Sequence, residues 1–221
     1  MRTDINQFVA QLMDSCFDYD SSLSEIAALK STAQASQDED IANEYWAQEE
    51  LVIIYQNFVI MYTQLKAKEY YEAWCTAEQI EIYVKFLLTN YPELEHLVVE
   101  LHTTVKTLQK LYLYKLFISS VLLRKKERCT ICGKVQSIRS QCSHIPCHVY
   151  NGELCGREVL EVKLLGADIV QNPEHKYSVV FACAKDGNRV DQYDYSLIEE
   201  LVSKWNKPFM VWKINKKTST L

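Results

Sequence analysis

Residues 129–156 read Cys129-Thr130-Ile131-Cys132-Gly133, a polar spacer, Cys142-Ser143-His144-Ile145-Pro146-Cys147-His148, then Tyr150-Asn151-Gly152-Glu153-Leu154-Cys155-Gly156. Five of the chain's eight cysteines fall in this stretch. Thiols clustered in this way read as metal ligands in a reducing compartment, where a disulfide framework does not persist. The CxxCG element has the form of a zinc knuckle: a tight turn aims both thiolates at one point, and the glycine lets backbone amides approach the sulfurs. Cys129 and Cys132 are therefore expected to be the first two ligands of a structural Zn2+. The other donors on offer are Cys142, His144, Cys147, His148 and Cys155. Cys155, between Gly152 and Gly156, is expected as the third ligand. His144 is preferred to Cys142 as the fourth, although residues two apart in an extended strand share a face and either can reach the same point. Cys147 and His148 read as neighbours of the site. A redox CxxC would call for a βαβ setting, which does not precede Cys129. Cys16, Cys75 and Cys183 lie alone and read as small buried hydrophobes. His96, His102 and His175 have no donors near them in sequence.

The chain changes character on either side of this stretch. All five glycines come after residue 132, and Pro92 is the only proline before Pro146. Residues 1–123 carry 8 Lys/Arg against 18 Asp/Glu, and residues 124–221 carry 16 against 11, so a net charge of −5 divides into an acidic half and a mildly basic one. The acidic half reads as helices. Ile5, Phe8, Val9, Leu12, Met13, Cys16 and Phe17 share one stripe, with Thr3 or Asp4 as cap. A second helix is expected over 24–35, followed by an exposed connector at 36–40. A long helix carries Ile41, Tyr45, Val52, Tyr55, Val59 and Tyr62, and the pattern continues through Trp74, Ile80, Tyr83, Val84 and Leu87 after a break near 67–70. Pro92 suits a first helical turn, and Leu94, Leu97, Leu101, Val105, Leu108, Tyr112 and Lys115 predict a seam of nearly four heptads to Leu122. That seam fits an antiparallel partner within a bundle, or an intermolecular coiled coil. Ten of the fourteen tyrosines lie in this half, and several must face outwards.

After residue 155 the pattern is that of strands. Val159, Leu160, Val162, Leu164 and Leu165 form one run and residues 177–184 another. Asp186-Gly187 predicts a tight turn that returns 189–195 as a hairpin partner. Ser196 with Glu199 forms a capping box for a helix through Leu197, Ile198, Leu201, Val202 and Trp205, and 209–214 reads as a last strand. The expected fold is α+β: an all-α bundle or coiled-coil hairpin over 1–125, then a zinc-stabilised α+β domain over 126–221.

The runs CTICG, CSHIP and YNGELCG resemble the zinc-binding segment of uncharacterised bacterial and phage-type proteins patterned CxxCG, CxH, YxGxxC. Cys129, Cys132, Cys142, His144, Tyr150, Gly152 and Cys155 match that pattern, and Cys147 stands where it has a glycine. The segment is also similar to treble-clef zinc folds, including HNH nucleases. That likeness implies a role for His144 as the general base that activates water against a phosphodiester. Ser143 stands where such nucleases place Asp, and a second CxxC is reduced to Cys155 alone.

Composition narrows the function classes. With 48% apolar and 11% aromatic residues, the 221-residue chain is neither collagen-like nor wholly disordered. The most apolar window, near 111–123, contains Lys115 and runs into Arg124-Lys125-Lys126, short of the roughly 20 apolar residues that a spanning helix needs. Met1-Arg2-Thr3-Asp4 followed by Asn6, Gln7 and Gln11 lacks the apolar core of a leader, and a cytoplasmic protein without membrane contact is expected. No phosphate-cradling glycine loop or nucleophile elbow appears. The reading is a non-enzymatic zinc-binding protein whose helices engage a protein partner or a second copy. The basic residues of 124–163 leave nucleic-acid contact as the first alternative and a metal-dependent nuclease as the second.

Overall fold

Asp18 and Asp38 each present a carboxylate to a backbone N–H three residues on, Ser21 at 3.0 Å and Ile41 at 3.2 Å, and each opens a helix. The computed structural model describes residues 5–14, 16–111, 114–137, 139–173, 175–183, 185 and 188–191. Among these, α1 (Ile5–Leu12), α2 (Tyr19–Ala35), α3 (Glu39–Lys66), α4 (Tyr70–Asn90) and α5 (Glu95–Leu111) make up the helical part, with a 3-10 turn at Pro92–Leu94. The break expected at 67–70 is present. Lys68 takes φ 64° and the Glu69 N–H returns to the Gln64 carbonyl at 2.9 Å, which closes α3 with a left-handed residue. Pro92 stands in the first turn of its helix, as expected.

Several sequence expectations require correction. Helix α1 ends at Leu12 instead of reaching Phe17, because the Asp14 carboxylate accepts from Cys16 N–H at 2.9 Å and the Tyr19 hydroxyl takes the Leu12 carbonyl at 2.6 Å. Cys16 is exposed rather than buried, whereas Cys75 is buried and burial pushes its thiol up to about 12. Helix α2 starts at Tyr19, because Asp18 supplies the cap before residue 24 is reached. On α3, Val52 and Tyr55 face the core as expected, but Ile41, Val59 and Tyr62 of the same expected stripe are exposed.

The largest correction is at α5 (Glu95–Leu111): residues 117–122, expected in its last turns, belong instead to a strand, β1 (Phe117–Cys129). An apolar run such as 116–123 fits either period, and long-range pairing decides between them. β1 runs antiparallel to β5 (Arg157–Val170) from Phe117↔Val170 to Cys129↔Arg157, with bulges near Val121, Arg124 and Lys126. The expected boundary at residue 125 falls inside this strand. β2 (Val135–Gln136) adds to the far end of β1, giving the order β2-β1-β5. Two short hairpins complete the described strands: β3 (Val149–Tyr150) with β4 (Glu153–Leu154), and β6 (Ala182–Cys183) with β7 (Arg189–Val190). The strand expected over 177–184 is confined to β6 and to a bridge from Val179 to Phe117. The order of helices followed by strands is the expected α+β class. The caps at Thr3 and Asp4, the Asp186-Gly187 turn, the side chain of Cys183, the capping box at Ser196, the helix to Trp205 and the strand at 209–214 lie outside the described residues.

Two cores hold these elements together. The larger lies among the helices, around Leu51, Ile54, Ile80, Val84, Leu87 and Val105. The smaller joins α4 to the base of the β1–β5 ribbon through Trp74, Cys75, Tyr114, Phe117 and Val179. Trp74 Nε1 donates to the Lys176 carbonyl at 2.5 Å, and the Tyr71 hydroxyl to that of Tyr177 at 2.8 Å. Beside them Lys176 reaches Glu78 at 3.7 Å, Gln109 at 2.5 Å and the Glu81 carboxylate.

Burial raises the Glu78 carboxyl above its ordinary value, and Lys176 pulls it back. A carboxyl raised in the folded state contributes stability below its unfolded pKa and loses it as pH rises through the folded value. Lys176→Met leaves Glu78 buried without its cation. The expected loss is about 2 kcal/mol at pH 8, below the range for fully buried pairs because Lys176 is one-third exposed. Urea unfolding at pH 5 should show a smaller deficit, since Glu78 then takes up a proton.

Candidate metal centre

The knuckle grows out of the end of β1. Cys129 N–H donates to the Lys134 carbonyl at 3.0 Å and Gly133 N–H returns to the Cys129 carbonyl at 3.0 Å, while Gly133 takes φ 70°. The turn from β1 into β2 thereby brings Cys129 and Cys132 to one side. After a bridge between Ser137 and Ser140, the chain comes back so that Gln136 holds Cys142 twice: Nε2 donates to its sulfur at 3.3 Å and Oε1 accepts from its N–H at 3.3 Å.

One donor atom each from Cys129, Cys132, Cys142 and His144 lies within 4.8 Å of the other three. These four can hold a metal ion. His144 stands edge-on to the Tyr150 ring at 4.7 Å between centroids, and its carbonyl accepts from Arg157 Nη2 at 2.9 Å. Its Nδ1 is buried without a hydrogen-bond partner, and a bound ion would remove that deficit. A set of three thiols and one imidazole suits Zn2+.

Two of the three cluster thiols are shifted toward the thiolate that a cation needs, while Cys132 is raised. Burial by itself would raise the Cys129 thiol, but the N–H groups of Cys132 and Ile131 and the thiols of Cys132 and Cys142 outweigh it and bring the group down to about 7. Cys142 is also lowered: burial opposes ionisation, and His144 more than offsets it. Cys155, expected as the third ligand, is fully buried beside the four, its sulfur 3.9 Å from that of Cys129 and 3.7 Å from Arg157 Nη1. Burial, followed by the charge on Cys129, pushes its thiol up to about 12. Cys142 and His144, weighed above as alternatives for one position, are both in the cluster.

Cys147 and His148 are neighbours here, as expected, and contribute through the backbone. Cys147 N–H donates to the Cys155 carbonyl at 2.8 Å and Cys155 N–H to the His148 carbonyl at 2.8 Å. His96 lies far along the chain, at Asn6 and the Glu93 carbonyl, and His175 stacks on Tyr177.

The β3–β4 hairpin seats this lobe on the helices. Asn151 and Gly152 form its turn, at φ 47° and 73°. Gly152 N–H donates to Asn43 Oδ1 at 2.6 Å, Asn151 N–H to Glu39 at 3.3 Å, and Gln34 Nε2 to the Asn151 carbonyl at 2.8 Å. Asn90, at the end of α4, clasps the preceding residues, donating to the Cys147 carbonyl and accepting from Val149 N–H, both at 2.9 Å. The roles of the asparagines at 43 and 90 and of Gln136 escaped the sequence reading, which counted Arg157 only among the basic residues of 124–163. Asn-Gly is a strong hairpin signal that could have located the seat.

A Cβ at Gly152 would meet the Ala42 carbonyl oxygen and Lys30 Cγ, both at 3.0 Å. Lys30 can yield and the helix backbone cannot. Gly152→Ala is expected to cost about 2 kcal/mol from the left-handed backbone and this overlap. Hydrogen exchange should quicken at 149–154 more than in α3.

No protein-family model, curated protein or solved structure matches this chain.

Proposed function

We propose that this chain is a non-enzymatic zinc-binding interaction protein. The ion held by Cys129, Cys132, Cys142 and His144 is architectural: it fixes the 129–157 lobe between the ribbon and the helices. The observation that carries this reading is the convergence of a His144 ring nitrogen with three thiol sulfurs, on an imidazole whose Nδ1 is buried without a hydrogen-bond partner. When bound, the ion supplies folding energy, and an imidazole spent on it is not free to act as a general base. The resemblance to CxxCG, CxH, YxGxxC segments is consistent with the same use of these residues. Among the described residues no helix is long and apolar enough to cross a membrane, and a cytoplasmic location is part of this proposal.

The partner surface we assign to the helical half. Along α3 the outward residues Val59, Ile60 and Tyr62 are at least 39% exposed, in the half of the chain, residues 1–123, that carries 18 of its 29 acidic residues. Size-exclusion chromatography with light scattering, on protein purified without added metal, tests the proposal. It predicts zinc with either an oligomer or a co-purifying protein, and a metal-free monomer without a partner contradicts it.

A second reading is favoured by one observation. Among the described residues, a groove beside the lobe is lined by Arg124, Lys125, Arg139 and Arg157 with a single acid, Glu127. Such a groove suits phosphates, although Arg124 is paired with Glu127 at 3.3 Å and Lys125 with Glu161 at 2.9 Å. Binding of mixed oligonucleotides that falls steeply with salt would support it, and no binding at low salt would remove it.

A further inference from the structure

The cluster has one thiol more than a tetrahedral ion can use. Cys129, Cys132, Cys142 and His144 suffice for four positions, and Cys155 stands behind them with its sulfur 3.9 Å from that of Cys129. A cysteine buried for its volume alone is a small hydrophobe among apolar neighbours. The Cys155 sulfur instead meets a second sulfur and, at 3.7 Å, Arg157 Nη1. Cys129 and Cys155 are 1% and 0% exposed, whereas Cys132 is open to solvent.

The ladder sets the buried pair side by side. Cys129 pairs with Arg157 at the last step of β1 and β5. Thr130 N–H donates to the Gly156 carbonyl at 3.2 Å, and Gly156 N–H returns to Thr130 Oγ1 at 2.7 Å. Sulfurs in a disulfide stand about 2.0 Å apart, so closing a bond here asks each to move roughly 1 Å. Cys132 lies beyond the end of the ladder, in the turn, where a small oxidant reaches it first.

We propose that the cluster is an oxidation site in which hydrogen peroxide ends by linking Cys129 to Cys155 and releasing the ion, an inference that rests on the metal-binding reading of the other residues. Peroxide transfers one oxygen to the exposed Cys132 sulfur, giving a sulfenic acid and one water. The Cys129 sulfur displaces that oxygen as a second water and forms a Cys129–Cys132 bond. The Cys155 sulfur, with Arg157 beside it, then attacks Cys129, and its proton passes to the departing Cys132 sulfur. Two thiols and one peroxide become one disulfide and two waters. Cys129 is thereby lost to the ion, and Cys132 is a thiol again.

Peroxide treatment of the full, zinc-loaded chain tests this, with zinc release followed by a coloured chelator and disulfides mapped by mass spectrometry of unreduced peptides. A Cys129–Cys155 link should appear in step with released zinc, and alkylation should find Cys132 free. Dithiothreitol with added Zn2+ should reverse both. Cys155→Ala should retain zinc before treatment and stop at the Cys129–Cys132 bond, so that Cys132 is no longer alkylated. Mapping of the unaltered protein stands by itself should that variant fold poorly. Zinc that stays bound under peroxide, or zinc released while Cys155 remains a free thiol, overturns the proposal and leaves the metal reading intact. Protein that carries no zinc before treatment overturns both.

Discussion

Stripping the metal is expected to unfold residues 129–157 and leave the helices standing. The lobe buries little of its own apolar surface. Its buried positions, among the described residues, are Cys129, Gly152, Cys155 and Gly156; Val149 and Leu154 lean on the helical core, and Val135 and Ile145 are exposed. A structural zinc ion contributes on the order of 10 kcal/mol to folding the segment that binds it, more than any other contact in the lobe. Cys132→Ser should act like the chelator, because it removes a ligand from the exposed side of the cluster without opening a cavity. Hydrogen exchange read by mass spectrometry checks both. Protection should vanish at 129–157 and persist in α3 and α4, whose larger core has all its buried members in the helices and the 3-10 turn. Unchanged exchange in the lobe after metal removal would mean that the hairpin seat suffices.

Trp74→Ala is expected to cost about 4 kcal/mol, the largest effect of any single side chain outside the cluster. The indole is buried on α4, stacks near Phe117 and stands edge-on to Tyr114, and it satisfies the Lys176 carbonyl. Its loss leaves a cavity and an unpaired carbonyl where the ribbon meets the helices. Urea unfolding should show the full deficit. The matched change Val99→Ala, at an exposed position of α5, should stay within about 0.5 kcal/mol.

The helices were legible from their apolar spacing: the break before Tyr70, which no glycine or proline marks, and the proline at residue 92 stand where the sequence places them. The end of α5 was not, because Leu113, Leu116, Ile118 and Leu122 satisfy a helical and an extended period about equally. What makes 117–129 a strand is pairing with residues about 40 positions away, which no local window contains. The metal cluster divides along the same line. Cys129 and Cys132 follow from spacing, since one turn fixes both. The entry of Cys142 and His144 together, with Cys155 behind them, depends on how Gln136, Tyr150 and Arg157 hold the returning chain. The seat on the helices was written locally in Asn151-Gly152, but its acceptor, Asn43, lies more than 100 residues earlier.

X-ray absorption at the zinc edge of protein purified without added metal tests the central claim most directly. A tetrahedral ion bound by Cys129, Cys132, Cys142 and His144 predicts three sulfurs at about 2.3 Å and one nitrogen at about 2.0 Å, with the nitrogen lost in a His144→Ala variant. A shell of four sulfurs would put Cys155 in the place of His144, and protein with a folded lobe but no metal would contradict the account outright.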